Sequence, residues 1–389
     1  MTRTAWTPLE GSAQAVALEV LVNGPLSRTA LASRLGLSQA SLTRLTKPLL
    51  ESGLLVEAEP SASEARLGRP TQPLDVIPEA SHFAGVKLTE ETAYGVVTTL
   101  RAGVVAERTM PLPGHDPAGV VAAVAELVAA LGAEAADRGG LQGVGVSLGG
   151  NTREATVVTR APFLGWRDVP LAELVASATG LPTVIENDVT ALTEAEHWFG
   201  AGREHATFGL LTIGAGVGFG LVVDRRLVTS PEAGLGLVGH HPLDPGGPRC
   251  LVGHRGCASA MLTVGGISGA VSAAVGRWVG YDEALDLAAA GDAVARAVVD
   301  DSGRALGIMV AAAANFTTAP AVVIGGEGVR LADVAAAAFA QGLASGRDPD
   351  ASEVEVIVRP GDFHQWARGA AVVAIQAFVS GRPAAGRRG

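Results

Sequence analysis

The stretch from Leu26 to Leu55 leaves few folds open to the N-terminal part of this chain. Ala30, Leu31 and Leu35 share one face of a short helix, Gly36 allows a tight corner, and Ser38 can accept a bond from the free N–H groups that open the next helix. Leu42, Leu45 and Leu49 recur at helical spacing and give that second helix its inner stripe. Around the stripe stand Ser38, Gln39, Ser41, Thr43, Arg44 and Lys47, all polar or basic. An ordinary packed helix pair would bury the same stripe. The outer face separates the two readings: in a helix-turn-helix the second helix enters the major groove, where Gln, Ser and Thr meet base edges and Arg and Lys meet bases or phosphates.

The residues that follow read as a wing. Leu54, Leu55 and Val56 form a short strand, a polar run crosses residues 57–73, and Leu74, Val76 and Ile77 form the returning strand. The tip carries Arg66 and Arg69 beside Gly68 and Pro70, two guanidinium groups suited to phosphate or to the electronegative minor groove. A formal net charge of -10 argues against nucleic acid only if it is evenly spread. Residues 1–50 hold Arg3, Arg28, Arg34, Arg44 and Lys47 against Glu10 and Glu19, so the acidity belongs mainly to the remainder. An acidic body with a basic head is compatible with DNA binding through one face.

A chain of 389 residues makes room for two or three domains with sizeable cores. Aromatics are 4% of residues, so Leu, Val, Ala and Ile must fill those cores. The N-terminus lacks a signal-peptide apolar run, and the stretches Ala311–Ala314 and Ala370–Val379 are too short or too interrupted to cross a bilayer. Two cysteines seven residues apart make no secreted disulfide scaffold, so a cytoplasmic protein without membrane partners is expected.

Beyond a boundary near residues 78–82 the pattern is α/β. Strands are expected at Phe83–Leu88, Tyr94–Leu100, Val104–Met110, Val144–Leu148, Thr183–Glu186, Phe208–Ile213, Gly218–Val223, Ala321–Ile324 and Val354–Val358. Helices are expected at Pro117–Ala136, Leu171–Thr179, up to Phe199, up to about Ala313, and at Trp366–Phe378, with a long irregular stretch from Thr229 to Gly256. Two α/β lobes sharing a cleft account for this order.

Within that body five blocks occur in sequence: Ala161-Pro162-Phe163-Leu164-Gly165-Trp166, Glu186-Asn187-Asp188, Thr212 to Gly218 with Gly214, Gly216 and Gly218, Gly239-His240, and Cys250–Cys257. Together they resemble the ROK family, named for repressors, open reading frames and kinases, in the repressor branch that carries a winged-helix front end. The resemblance spans about residues 12 to 379. It implies a winged helix-turn-helix over residues 1–80, then a two-lobed actin-like, sugar-kinase-like domain over 81–379. Lobe 1 covers about 81–190 plus the C-terminal helix, lobe 2 about 191–362, and residues 380–389 are expected to be a disordered tail.

Departures from the family pattern shape the functional expectation. Family kinases end their first strand in Asp-x-Gly-Gly-Thr, which cradles phosphate; here the segment is Lys87-Leu88-Thr89-Glu90-Glu91, without those glycines and with two repelling carboxylates. Phe163 stands where Asn is usual, Leu237 where a sugar-binding Glu is usual, and Ser259 where a second Glu is usual. Asn187, Asp188 and His240 survive as effector-binding candidates, although Asn187 and Asp188 could equally be helix caps. The family's zinc pattern of one His and three Cys keeps His240, Cys250 and Cys257 but has Val252 at the middle Cys. His254 or His241 is a candidate for the missing ligand, and a metal-free loop is the alternative.

The sequence therefore points to a non-enzymatic DNA-binding transcriptional regulator, a repressor. Its expected partners are double-stranded operator DNA, a sugar-derived or other small-molecule effector, and a second copy of itself as a dimer or dimer of dimers. A ROK-type sugar kinase with an accessory DNA-binding domain is the competing reading.

Overall fold

A computed structural model describes residues 9–59, 72–136, 139–232, 234–359, 361–381 and 384–385. The head begins with a helix that the apolar spacing did not announce, α1 (Gly11–Asn23), whose buried face is Val16, Ala17, Val20 and Leu21. It packs on α2 (Arg28–Leu35) and α3 (Gln39–Glu51). Between them Gly36 adopts φ 63°, the left-handed conformation expected of a glycine corner. Ser27 and Ser38 cap the two helices, each side chain accepting a backbone N–H three residues on. Leu42 and Leu49 are buried as the stripe requires, while Leu45 is half-buried. The wing strands are only β1 (Val56–Glu57) and β2 (Leu74–Asp75), antiparallel, with Leu26 joining Leu74 through reciprocal backbone bonds of 2.9 and 2.8 Å. The wing tip with Arg66 and Arg69 lies outside the described residues.

The first lobe is a five-stranded sheet of β3 (His82–Leu88), β4 (Thr92–Thr99), β5 (Val104–Pro111), β6 (Leu141–Leu148) and β10 (Thr183–Asn187). Its order is β10-β6-β3-β4-β5, an antiparallel meander extended by two parallel strands. Helix α4 (Pro117–Glu134) covers one face and is capped by Asp116. It has the length and apolar content to cross a bilayer, a feature the sequence reading overlooked. Its Val120, Val124, Leu127, Val128 and Leu131 instead fill this lobe's core. Between β6 and β10 the chain forms a small sheet, β7 (Asn151–Arg153), β8 (Val157–Ala161) and β9 (Trp166–Val169), then α5 (Leu171–Thr179). That small sheet was not foreseen, because its strands are three to five residues long and show little alternation.

Helix α6 (Asp188–Phe199) leads into a second five-stranded sheet. It comprises β11 (Phe208–Ile213), β12 (Val217–Val223), β13 (Arg226–Leu227), β14 (Ala321–Gly325) and β15 (Glu355–Val358). The order β13-β12-β11-β14-β15 repeats the first lobe's topology of meander plus two parallel strands. Helices α7 (Ala258–Leu262), α8 (Val264–Val275), α9 (Tyr281–Ala289), α10 (Ala293–Thr317), α11 (Arg330–Val334) and α12 (Ala336–Ser345) build its core around buried Leu306 and Val310.

The last helix, α13 (Phe363–Ser380), returns to the first lobe and lies unusually close to its sheet. A Cβ at Gly85 would sit 2.0 Å from the Ala367 carbonyl oxygen, and one at Gly145 would sit 1.8 Å from that of Ala370. These two glycines, with Ala367, Ala370 and Ala371 opposite, set the helix-to-sheet distance. Gly145→Ala must displace backbone, and a loss of about 1–3 kcal/mol is expected in urea unfolding. An unchanged midpoint would contradict this packing. Beyond α13, Ala385 exchanges two 3.0 Å backbone bonds with Thr183 at the sheet edge.

Candidate nucleic-acid interface and ligand cleft

The outward face of α3 carries exposed Gln39, Thr43, Arg44 and Lys47, with exposed Ser38 and half-buried Ser41 at its start. Ser38 accepts the Ser41 N–H at 3.2 Å, so both hydroxyls stand at the helix entrance. Thr43 donates to the Gln39 carbonyl at 2.9 Å, and Lys47 is 3.9 Å from Glu51, an exposed and weak pair. The Gln39 and Arg44 side chains have no hydrogen-bond or ion-pair partner among the described residues. The basic head reads differently in three dimensions. Arg28 is bonded to Glu57 at 2.6 Å and Arg34 to Glu19 at 2.8 Å, so both are internal braces. Among the described residues of the head, positive charge free to meet phosphate is left to Arg44 and Lys47.

A second site lies where the two lobes meet. Lys87 at the end of β3 is almost fully buried, packs 5.2 Å from the centre of the Trp366 ring, and bonds to the Asp188 carboxylate. Asp188 also accepts the Val189 N–H at 2.9 Å. Asn187 is committed internally: its amide donates to the Gly150 carbonyl at 2.9 Å and its oxygen accepts the Thr190 N–H at 3.1 Å, capping α6. Phe163 is half-exposed beside this pair. A Cβ at Gly149 would sit 3.4 Å from its ring and 3.6 Å from the Asp188 carboxylate, so the glycine keeps a space between them. The turn after β3 closes on itself through Thr89, whose N–H donates to the Thr92 carbonyl at 2.9 Å. Across the cleft the Ala215 N–H donates to the Glu327 carboxylate at 2.6 Å.

His240 joins a different group. Its Nδ1 is 3.9 Å from the Cys250 sulfur and 3.8 Å from the Cys257 sulfur, and its ring centre is 4.6 Å from that of His254. The four donor atoms lie within 4.8 Å of one another. Tetrahedral zinc with two thiolates and two imidazoles separates N and S donors by about 3.6 Å, so the donor set and spacing fit zinc. The loop thus recruits His254 in place of the thiol that Val252 lacks. Burial raises the Cys257 thiol, helped by Cys250 beside it. At Cys250 burial acts in the same sense, but backbone bonds at Val252, the Cys257 thiol, and backbone bonds at His254 and Gly253 outweigh it and lower that thiol.

The model of the ROK family matches residues 84–377. The chain belongs to the ROK family. The E. coli K12 DNA-binding transcriptional repressor Mlc is 27% identical over 325 residues, which is 80% of this chain and 79% of Mlc. The N-acetylglucosamine repressor of E. coli O6:H1 is 26% identical over 322 residues, covering 78% and 77% of the two chains. A crystal structure of a ROK transcriptional regulator described as a homologue of E. coli Mlc superposes with a TM-score of 0.79 at 24% identity, over 95% of this chain and 96% of that one. It has the same fold from head to last helix.

The residues of the cleft that resemble the family kinases' nucleotide-handling segments are engaged in internal contacts. Lys87 stands where the pattern that the chain resembles has the Asp opening the phosphate turn, and it pairs with Asp188, in the segment that resembles the one supplying their catalytic Asp. Glu327 lays a carboxylate on the loop that resembles their second phosphate loop. Sequence reasoning named Lys87 but not its pairing, and it missed Glu327 altogether. The three contacts span 101, 112 and 17 residues for Lys87–Asp188, Ala215–Glu327 and His240–Cys257. Only the last was signalled by a ligand pattern.

Proposed function

We propose that this chain is a DNA-binding transcriptional regulator, a cytoplasmic repressor of the ROK family that reads operator DNA with α3. The observation that carries the reading is the face of α3, where Gln39 and Arg44 project with no internal partner while neighbouring arginines are tied down. Residues with planar, multi-donor ends in that position suit bidentate readout of adenine and guanine edges. Arg66 and Arg69 of the wing are assigned to phosphate or minor-groove contact, as their sequence context suggests. A symmetric dimer or pair of dimers would hold two heads one helical turn apart, or a multiple of it.

The effector site is assigned to the space beside Phe163, Gly149 and Asp188. Asn187 bonds to the Gly150 carbonyl and caps α6, and His240 stands with Cys250, His254 and Cys257, so Asp188 is the polar group assigned to the effector. An aromatic face next to a carboxylate suits a sugar derivative, whose apolar face stacks on the ring while a hydroxyl donates to Asp188. With Leu237 64% exposed and Ser259 donating to the Gly239 carbonyl at 2.7 Å, neither supplies a carboxylate, so weak affinity for unmodified glucose follows. Selection of fragments from a random duplex pool by the purified chain, repeated with a panel of sugars and sugar phosphates, tests both assignments. A two-fold motif whose recovery falls with one panel member supports them; recovery no better than the input pool would overturn the regulator reading.

Zinc held by His240, Cys250, His254 and Cys257 would be structural, adding folding energy to the Thr229–Gly256 stretch rather than chemistry. About one zinc per chain is expected by elemental analysis, falling to background in Cys257→Ser. A wild-type preparation refolded with zinc and still metal-free would contradict the assignment.

A further inference from the structure

The head does not sit loosely on the body. Leu100 and Ala102 of the β4–β5 turn, Phe83 of β3, and Val372 and Ile375 of α13 share one buried cluster with Val16, Val20, Leu21 and Leu74 of the head. Within this apolar layer the polar side chain of Arg101 crosses from body to head. Arg101, in the β4–β5 turn, donates to the Leu21 carbonyl through Nε at 2.8 Å and to the Val20 carbonyl through Nη2 at 2.8 Å, and it pairs with Asp75 of β2. The last turn of α1 has no basic residue of its own, so Arg101 supplies the cation that the negative end of the helix favours. One guanidinium thereby fastens the first helix and the wing strand to the first lobe.

The same turn is held from the other side. Arg368 of α13 donates to the Ala102 carbonyl at 2.9 Å and to the Phe199 carbonyl at 3.0 Å. Phe199 is the last residue of α6, and Asp188 is its first. Arg368 is partly buried, and burial pushes its guanidinium below its usual range, opposed by Glu196. The chain of contacts runs from Asp188 along α6 to Phe199, through Arg368 to Ala102, and from the adjacent Arg101 into the head.

We propose that Arg368 and Arg101 are positioning residues forming a two-guanidinium relay, which fixes the orientation of the DNA-reading head and makes it follow any displacement of α6. The relay rests on the reading of the cleft at Asp188 as the effector site and of the head as the DNA module. A helix of 12 residues is a rigid rod of about 18 Å, so movement at its first turn is delivered to its last. Phe199, Ala102, Val20 and Leu21 take part through backbone carbonyls, which makes the two arginines the replaceable parts.

Hydrogen exchange on the free full-length protein tests the relay without DNA or effector. Arg368→Gln should speed exchange at backbone amides of residues 20–26 and 74–76 about 10-fold or more, as Arg101→Gln does, although Arg368 touches neither segment. Arg368→Lys, which keeps the charge, should restore part of the protection, and the α10 amides should stay protected, reporting an intact body. Head exchange unchanged in Arg368→Gln with α10 protected would overturn the relay. If Arg368→Gln also unprotects α10, the double variant with Arg101→Gln decides: head exchange no faster than in the single variants supports one shared path, and additive acceleration overturns it. Where the wild type binds a selected two-half-site duplex, Arg101→Gln should keep its half-site affinity and tolerate one-base-pair changes in spacing that weaken the wild type about 10-fold. Equal spacing selectivity would overturn the relay, whereas a wild type without specific DNA binding would count against the regulator reading alone.

Discussion

Lys87→Met is expected to destabilise the first lobe by about 3–5 kcal/mol, because it leaves the Asp188 carboxylate enclosed without its cation. The Lys87 and Asp188 side chains are 7% and 15% exposed, so water screens neither well. Methionine retains the packing against Trp366, which isolates the charge from the loss of volume. Asp188→Asn alone should also destabilise, by stranding the ammonium. Combining the two substitutions should recover most of the loss, since a neutral pair of similar shape carries no unpaired charge. Urea unfolding followed by tryptophan fluorescence reads this directly, as Trp366 lies beside the pair. A Lys87→Met protein as stable as the wild type, or a double variant weaker than both singles, would show that the two groups are independent.

The same pair marks the limit of what the sequence disclosed. Elements that depend on local chemistry were readable: the Ser38 cap, the Gly36 corner, and strand Phe208–Ile213 and helix Leu171–Thr179 with their bounds. So were nine of the strands in the two large sheets, because buried strands produce apolar runs, whereas the short β13 and the parallel pairing order were not. Contacts joining distant segments were not. Nothing local to Lys87 indicates that its charge is answered at Asp188, and nothing around Glu327 indicates that its carboxylate reaches Ala215. Helix α1 was overlooked because its start and its amphipathicity are weakly marked: Glu10 makes no side-chain cap, and the helix is apolar around much of its circumference. The effector candidates separated for a related reason. Asn187, Asp188 and His240 were grouped by family order, whereas packing assigns Asn187 to a cap, Asp188 to an ion pair, and His240 to two cysteines and a second histidine.

Removing Gln39 and Arg44 together should abolish most sequence discrimination. Each well-placed bidentate contact to a base is worth about 1–3 kcal/mol, so losing two costs about 2–6 kcal/mol if both read bases. The substitutions lie on the exposed face of α3 and leave buried Leu42 and Leu49 in place, so the head should remain folded by circular dichroism. Lys47→Ala, by contrast, removes a charge already shared weakly with Glu51. It should lower affinity for specific and scrambled duplexes alike, with a shallower salt dependence. If the Gln39→Ala, Arg44→Ala double variant still prefers the selected sequence as strongly as the wild type, α3 is not the reading helix.

The most direct test of the regulator reading compares the affinity of the full chain for its best selected duplex with that for a scrambled duplex of equal length and composition, at about 0.15 M salt. A specific site is expected to bind about 10³-fold tighter or better, and the double variant of Gln39 and Arg44 should collapse that ratio toward unity. Equal affinity of the wild type for both duplexes would contradict the assignment of this chain as a sequence-specific DNA-binding protein.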